Sequence, residues 1–331
     1  MEADPIQRFA SIPARRAEKA PTMIDAPANG GQAVVAAMFA QGVETIFGIP
    51  GGAVLPLYDE LYAAPFQHVL VRHEQAAVLA ADGYARASGK VGVCIATSGP
   101  GATNLVTGLA TAFMDSVPIV AITGNVPRAV LGTDGFQEAD TFGFTLPVTK
   151  HSYIVTDPDE VYDTVKEAFV IAAHGRQGPV LIDIPKDVFT APLTSPPKGS
   201  SRRRPRIHVI PDPAAAAIET AAEHISRSRR PVLYAGGGII SSGAHAELRQ
   251  LAEITGIPVT TTLMGLGSFP GDHRLFLGMP GMHGTYAANH ALSDTDCLIA
   301  VGTRFDDRVT GKVAAFASEA TVIHIDIDAS E

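Results

Sequence analysis

Glu74 lies in the string Val71-Arg72-His73-Glu74-Gln75-Ala76-Ala77, between two glycine-rich turns. Phe47-Gly48-Ile49-Pro50-Gly51-Gly52 precedes it and Thr97-Ser98-Gly99-Pro100-Gly101-Ala102-Thr103-Asn104 follows. The order turn, strand, carboxylate, helix, strand, turn, helix puts one glutamate at the carboxyl end of a strand and the start of a helix. Open parallel sheets bind ligands at that edge. An acid at a helix start also interacts favourably with the helix dipole, so a structural reading stands beside the functional one. Ser98-Gly99-Pro100-Gly101 opens a helix after an apolar strand, which suits either an anion site or a plain tight turn. Gly51 and Gly52 let a ligand approach the backbone closely. Further along, Arg304 and Arg308 can clamp a pyrophosphate, and Asp326 at a strand end can bind ribose hydroxyls. The alternative for Arg304-Phe305-Asp306-Asp307-Arg308 is a set of surface ion pairs. Gly236-Gly237-Gly238 invites a dinucleotide-binding reading, but GGGxxxSG is not GxGxxG. No acid closes the next strand, Thr260-Thr261-Thr262, so a nicotinamide dehydrogenase is not indicated.

Alternating elements position these residues. Apolar spacing predicts helices over 32–41, 75–88, 102–114 and 159–173, with Gly89 closing the second. Strands are predicted over 45–47, 68–71, 91–96, 118–122 and 180–185. A second alternating unit has helices over 214–227, 244–255 and 285–292. Its strands fall over 231–234, 258–262, 297–301 and 322–327, and Gly236-Gly237-Gly238 reads as a tight turn. The pattern predicts an α/β chain of two doubly wound parallel-sheet domains. The expected boundaries are a flexible tail over 1–29, a first domain over 30–190, a Pro-, Ser- and Arg-rich linker over 191–213 and a second domain over 214–331.

Composition narrows the function classes. With 331 residues, 46% of them hydrophobic and 18% charged, the chain can bury two cores. A net charge of -9 argues against general nucleic-acid binding. The basic cluster Arg202, Arg203, Arg204 and Arg206 reads as solvated linker. Cys94 and Cys297 each sit in an apolar run and have no CxxC partner, so they read as buried thiols of a reducing compartment. No apolar run approaches the roughly 20 residues that span a bilayer. The acid-containing N-terminal stretch lacks the apolar core of a secretory signal, and the expected location is cytoplasmic.

The three segments around Glu74 resemble the N-terminal, pyrimidine-binding domain of thiamine-diphosphate enzymes, and within them the acetolactate synthase (acetohydroxyacid synthase) catalytic subunits. Leu263-Met264-Gly265-Leu266-Gly267, Gly278-Met279-Pro280-Gly281-Met282-His283-Gly284 and Val301-Gly302-Thr303-Arg304-Phe305-Asp306-Asp307-Arg308-Val309-Thr310-Gly311-Lys312 resemble that family's FAD-binding middle domain. The resemblance implies that Glu74 hydrogen-bonds the pyrimidine ring nitrogen of thiamine diphosphate. It thereby favours the imino form that removes the thiazolium C2 proton. It implies cofactor contacts at Gly51, Gly52, Thr97, Pro100, Asn104 and Gln137. FAD contacts would fall on Arg176, Gly236, Gly237, Gly238, Thr262, Leu263, Met282, His283, Gly302, Arg304, Asp306, Arg308, Val309 and Asp326. In that family the flavin is structural and does not turn over in the main reaction. On the substrate side the resemblance brings in Gly51, Phe136, Gln137 and Lys186, and the pair Met282 and Arg308 for a 2-ketobutyrate-sized acceptor. Lys186 also reads as a solvated strand-end lysine.

The implied reaction decarboxylates pyruvate and transfers the two-carbon unit to pyruvate or 2-ketobutyrate, in valine, leucine and isoleucine biosynthesis. A homodimer or higher oligomer and a small regulatory subunit are the implied partners. The resemblance covers roughly residues 30–331 and two of the family's three domains, the middle one cut short. The Gly-Asp-Gly segment that holds Mg²⁺ and the diphosphate in the C-terminal domain is not found, and Gly271-Asp272-His273 is the nearest string. The expectation is a truncated chain with no metal site of its own and, in isolation, no turnover. Two departures stand out: Asn125 where the family usually has Gln, and Gly135 where Ala is common. Two other readings stay open. One is another thiamine enzyme, such as a pyruvate oxidase with a redox-active flavin; the other is a non-catalytic FAD-binding fragment.

Overall fold

The computed structural model describes residues 26–196 and 211–331. Most of the expected tail and the basic cluster Arg202, Arg203, Arg204 and Arg206 lie outside the described residues. The chain divides into two compact units, Met1–Pro205 and Arg206–Glu331. Each is built on a sheet whose neighbouring strands all pair in parallel.

The first unit runs α1 (Gly30–Ala40), β1 (Thr45–Gly48), α2 (Leu55–Tyr62), β2 (Gln67–Leu70), α3 (Glu74–Ser88), β3 (Gly92–Ala96), α4 (Pro100–Thr103) and α5 (Val106–Met114). It continues through β4 (Ile119–Asn125), α6 (Thr141–Thr145), β5 (His151–Ile154), α7 (Val161–Ala173), β6 (Val180–Pro185) and α8 (Lys186–Thr190). The sheet order is β2-β1-β3-β4-β6-β5. Strand residues alternate between the two faces because side chains in a strand have period two. Val93, Ile95, Val120, Ile122, Val180 and Ile182 join α1, α2 and α7 in one core. Cys94, Ala96, Ile119, Ala121 and Leu181 join α3 and α5 in the other. Both faces are covered, as expected of a doubly wound parallel sheet. The chain leaves β1 towards β2 and returns on the other side at β3, so the topological switch point lies between the carboxyl ends of β1 and β3.

The second unit runs α9 (Ala215–Arg227), β7 (Pro231–Ala235), α10 (Gly237–Ser242), α11 (His245–Thr255), β8 (Val259–Thr261), β9 (Phe276–Gly278), α12 (Tyr286–Asp294), β10 (Cys297–Val301), α13 (Asp307–Thr310) and β11 (Thr321–Ile325). Its order is β11-β10-β7-β8-β9, which puts the switch point between β7 and β10. Leu233, Ala235, Ile239, Leu248 and Ile299 form one core, and Val232, Tyr234, Leu292, Leu298 and Ala300 the other.

Some local expectations change. The helix expected over 102–114 is broken. Leu105 N–H bonds Ala102 O, a tightened turn that separates α4 from α5. Gly236-Gly237-Gly238 is not a bare turn: Gly236 is the N-cap and the next two glycines are the first residues of α10. The first residues of the expected linker belong to the first unit. Gly30 N donates to Ala191 O and Leu193 N to Ala28 O, while Thr194 and Ser195 bond the Asp159 carboxylate.

Candidate functional site

At the switch point of the first unit, β1 ends at Gly48 and pairs with Ile95 of β3. A Cβ on Gly48 would meet Ile95 O at 2.7 Å, so only glycine lets β1 run this close to β3. The turns after both strands then face each other. A Cβ on Gly51 would stand 2.5 Å from Thr97 Cβ, and Ala53 N donates to Thr97 Oγ1 at 3.1 Å. Gly99 has φ +55, and a Cβ there would strike the Gln137 carbonyl oxygen at 2.5 Å. Gly101 would need the space 2.7 Å from Thr97 Cγ2 and 3.3 Å from Glu74 Oε1.

Glu74 is the first residue of α3, whose N-cap is His73; its ring Nδ1 accepts from Gln75 N at 3.1 Å. Asn104 Nδ2 donates to Glu74 Oε2 at 2.9 Å. Among the described residues nothing bonds Oε1, the oxygen that faces Gly101. The half-buried Glu74 is therefore held on one side and open on the other. The helix break after α4 bears on this, because Asn104 is the α4 C-cap.

The structure brings together Glu74, Gly51, Thr97, Gly99, Gly101, Asn104 and the backbone of Gln137. Pro100 opens α4 beside them, and Gly52 is exposed with open space around it. Phe136 and Gln137 lie on a segment that leaves β4. Phe136 is 90% exposed, and Gln137 has φ +59. Glu138 braces this segment by accepting from Gly132 N at 2.5 Å and Gly135 N at 2.8 Å. Those backbone N–H groups hold its carboxyl below the ordinary glutamate range. Lys186 is exposed at the carboxyl end of β6, as a solvated strand-end lysine would be.

Sequence reasoning missed a buried polar cluster on the same edge. Thr123 Oγ1 donates to Asp183 Oδ1 at 2.6 Å, Asn125 Nδ2 donates to Asp183 Oδ2, and Asn125 Oδ1 accepts from Val126 N at 2.7 Å. The signal was present: a carboxylate inside the apolar string Val180-Leu181-Ile182-Asp183-Ile184.

The second unit repeats the arrangement at its own switch point. β7 and β10 lead into Gly236 and Gly302. A Cβ on Gly236 would strike Gly302 O at 2.2 Å, and one on Gly238 would meet Gly302 Cα at 2.6 Å. Gly238 N donates to Gly302 O at 2.9 Å, and Gly302 itself has φ +55. Thr262 Oγ1 accepts from Gly265 N at 2.9 Å, with exposed Leu263 following it. Gly281 (φ +97) packs on the Arg308 carbonyl, and Met282 N donates to Arg308 O at 3.1 Å, so the expected pair Met282 and Arg308 is adjacent. Met282 and His283 are exposed. Asp306 caps α13 through Arg308 N at 2.8 Å and stands 3.6 Å from the Arg304 guanidinium. Arg308 is exposed. Val309 packs beside the core that includes Leu292. His324 Nε2 donates to Thr303 O at 2.8 Å and lies 3.7 Å from Asp326 Oδ2. Arg176 belongs to the first unit, where its Nε donates to Ser116 Oγ at 2.9 Å.

Two parallel-sheet units, each with a glycine-lined switch point, match known families. Residues 28–144 match the thiamine pyrophosphate enzyme N-terminal TPP binding domain, and residues 218–331 match the thiamine pyrophosphate enzyme central domain. The chain belongs to the thiamine pyrophosphate enzymes. It is similar to the acetolactate synthase large subunit of Corynebacterium glutamicum, 56% identical over 92% of this chain and 48% of that protein. The acetolactate synthase of Mycobacterium bovis is 57% identical over 92% of this chain and 49% of its own length. The large subunit of Parasynechococcus marenigrum is 56% identical over 92% and 50%. The chain thus spans about half the length of the curated relatives it matches.

Proposed function

We propose that the chain is the N-terminal and central part of an acetolactate synthase large subunit, which decarboxylates pyruvate and transfers the two-carbon unit to pyruvate or 2-ketobutyrate. The observation that carries this is the state of Glu74, bonded by Asn104 at Oε2 and open at Oε1 beside Gly101. Gly51 and Gly101 packed on Thr97, and Gly99 packed on the Gln137 backbone, draw the turns after β1 and β3 together around Glu74, and the open space at Gly52 leaves backbone that a flat heteroaromatic ring could approach. Thiamine diphosphate supplies, when bound, the electron sink for loss of carbon dioxide and for carbon–carbon bond formation. Asn104 donates to Oε2, so a proton on the carboxyl belongs at Oε1, where Glu74 can share it with a ring nitrogen. Thr97, Pro100 and the Gln137 backbone would hold the ring, and the exposed Phe136 and Lys186, with Gln137, would meet the substrate.

The second switch point fits FAD as a structural cofactor. Gly236 and Gly238 pack directly on Gly302, so the turns after β7 and β10 close on each other at the switch point, where a dinucleotide would sit. Arg304 and Arg308 supply positive charge for its diphosphate, and Asp326 an acceptor for ribose hydroxyls. Gly237, Thr262, Leu263, Met282, His283, Asp306 and Val309 complete the contacts proposed within the second unit. Mg²⁺ and the thiamine diphosphate phosphates are assigned to a further domain, with Glu74 facing that domain of a partner subunit in a dimer. A small regulatory subunit and a cytoplasmic location complete the reading, the latter supported by two buried free thiols. Among the described residues no helix is long and apolar enough to cross a membrane.

The test is acetolactate formation from pyruvate by the full gene product that contains this chain, with thiamine diphosphate, Mg²⁺ and FAD added. Activity in the wild type, lowered about 100-fold or more by Glu74→Gln, is the expected result. No acetolactate from the wild type, or full activity in the variant, overturns the reading.

A further inference from the structure

One carboxylate in the first unit has no part in the chemistry above. Asp183 is fully buried in β6. Both its oxygens are engaged, Oδ1 by Thr123 Oγ1 and Oδ2 by Asn125 Nδ2. Burial pushes its carboxyl up to about 7 against the pull of those two donors, and Asp140, the N-cap of α6, adds to the rise. A buried acid is costly unless its oxygens are hydrogen-bonded, as both are here.

What it holds is the exit of the chain from the sheet. β4 ends at Asn125, and the segment 126–138 that follows carries Phe136 and Gln137. Asn125 accepts from the first amide of that segment, Val126 N, at 2.7 Å. A carboxamide is nearly symmetric in shape, and turned over it would set its NH₂ against the Val126 N–H, donor facing donor. Oδ2 accepts from Asn125 with the carboxyl ionised or neutral, since a proton on Oδ1 can be given to Thr123 Oγ1, so Asp183 fixes the NH₂ inward and the oxygen outward. Further along, the segment is held by Arg128, whose Nε donates to Asp187 Oδ2 at 2.7 Å, and by the Glu138 brace. Its far end packs on Gly99 through the Gln137 backbone.

We propose that Asp183 is a positioning residue: by orienting the Asn125 carboxamide it anchors the start of segment 126–138 and so sets where Phe136 and Gln137 stand on the substrate side. The tether is a property of this fold, while the substrate side rests on the function proposed above.

The experiment uses the full gene product and three variants. Asp183→Val removes the acceptor. Asn125→Ala removes the carboxamide and keeps the Asp183–Thr123 pair, so it carries the test if the first variant does not fold. Asp183→Asn is the conservative control, because its amide oxygen can still accept from Asn125 while the Thr123 hydroxyl turns to accept. Amide hydrogen exchange is read by mass spectrometry for 126–138 and for β1 and β3, beside KM and kcat for pyruvate. In Asp183→Val and Asn125→Ala the 126–138 amides exchange about tenfold faster with β1 and β3 still protected, and KM rises about fivefold with kcat within about twofold. Asp183→Asn stays near the wild type. Unchanged exchange over 126–138 in a folded variant, or a uniform rise over the whole unit with KM unmoved, overturns the proposal. If the wild type makes no acetolactate, the function fails, and the exchange readout still decides the tether.

Discussion

Glu74 and Asp183 are two carboxyls on one sheet edge with opposite surroundings. Glu74 keeps an oxygen open to a ligand, whereas Asp183 is sealed among apolar strands. Their legibility differed for that reason. Glu74 sits at an element boundary between glycine turns, a pattern that local sequence displays. Asp183 is a polar interruption of an apolar run, and its partners Thr123 and Asn125 lie some sixty positions away. Only the pairing of β4 with β6 brings them together. Burial makes a stability prediction. The folded carboxyl titrates near about 7, above its ordinary value, so the folded state binds more protons than the unfolded one between about pH 4 and about pH 7. Stability therefore falls as pH rises through that window. Asp183→Asn removes this titration, so its melting temperature should decline less from pH 5 to pH 7 than that of the wild type, as scanning calorimetry would register.

At the scale of elements, the parallel α/β character was legible because strongly apolar strands alternate with amphipathic helices. The expected strands over 91–96, 180–185 and 297–301 coincide with β3, β6 and β10 to within a residue. Other elements were not legible. β5 (His151–Ile154) is a short edge strand with only Ser152 buried, so no apolar run marks it, and β9 is only three residues long. The break between α4 and α5 is a backbone choice that lets Asn104 reach Glu74, and hydrophobic spacing is blind to it. The packing of α3 against α5 has a specific requirement at Gly108, where a Cβ would lie 2.2 Å from Val78 Cγ1. Gly108→Ala should cost about 1–3 kcal/mol in urea unfolding, and Val78→Ala on that background should recover part of the loss. A Gly108→Ala chain as stable as the wild type would mean that the helices separate more easily than this contact implies.

For the whole molecule, both candidate sites fall at switch points, one in each unit, and in both the approach is guarded by glycines facing a neighbouring turn. The sequence displayed the glycine turns but not the strand order that makes them meet. The proposed division of labour, chemistry at the first switch point and a structural flavin at the second, gives a spectroscopic expectation. FAD bound to the gene product keeps its oxidised absorbance when pyruvate is added anaerobically. Rapid bleaching would point to a pyruvate oxidase-like enzyme.

The central claim is that Glu74 activates thiamine diphosphate by proton sharing, and its most direct measurement is deuterium exchange at C2 of the enzyme-bound cofactor, followed by NMR after acid quench. Wild-type gene product should accelerate that exchange, and Glu74→Gln should slow it by about 100-fold while still binding the cofactor. Equal exchange rates in the two proteins, at equal cofactor occupancy, would contradict the assignment of Glu74.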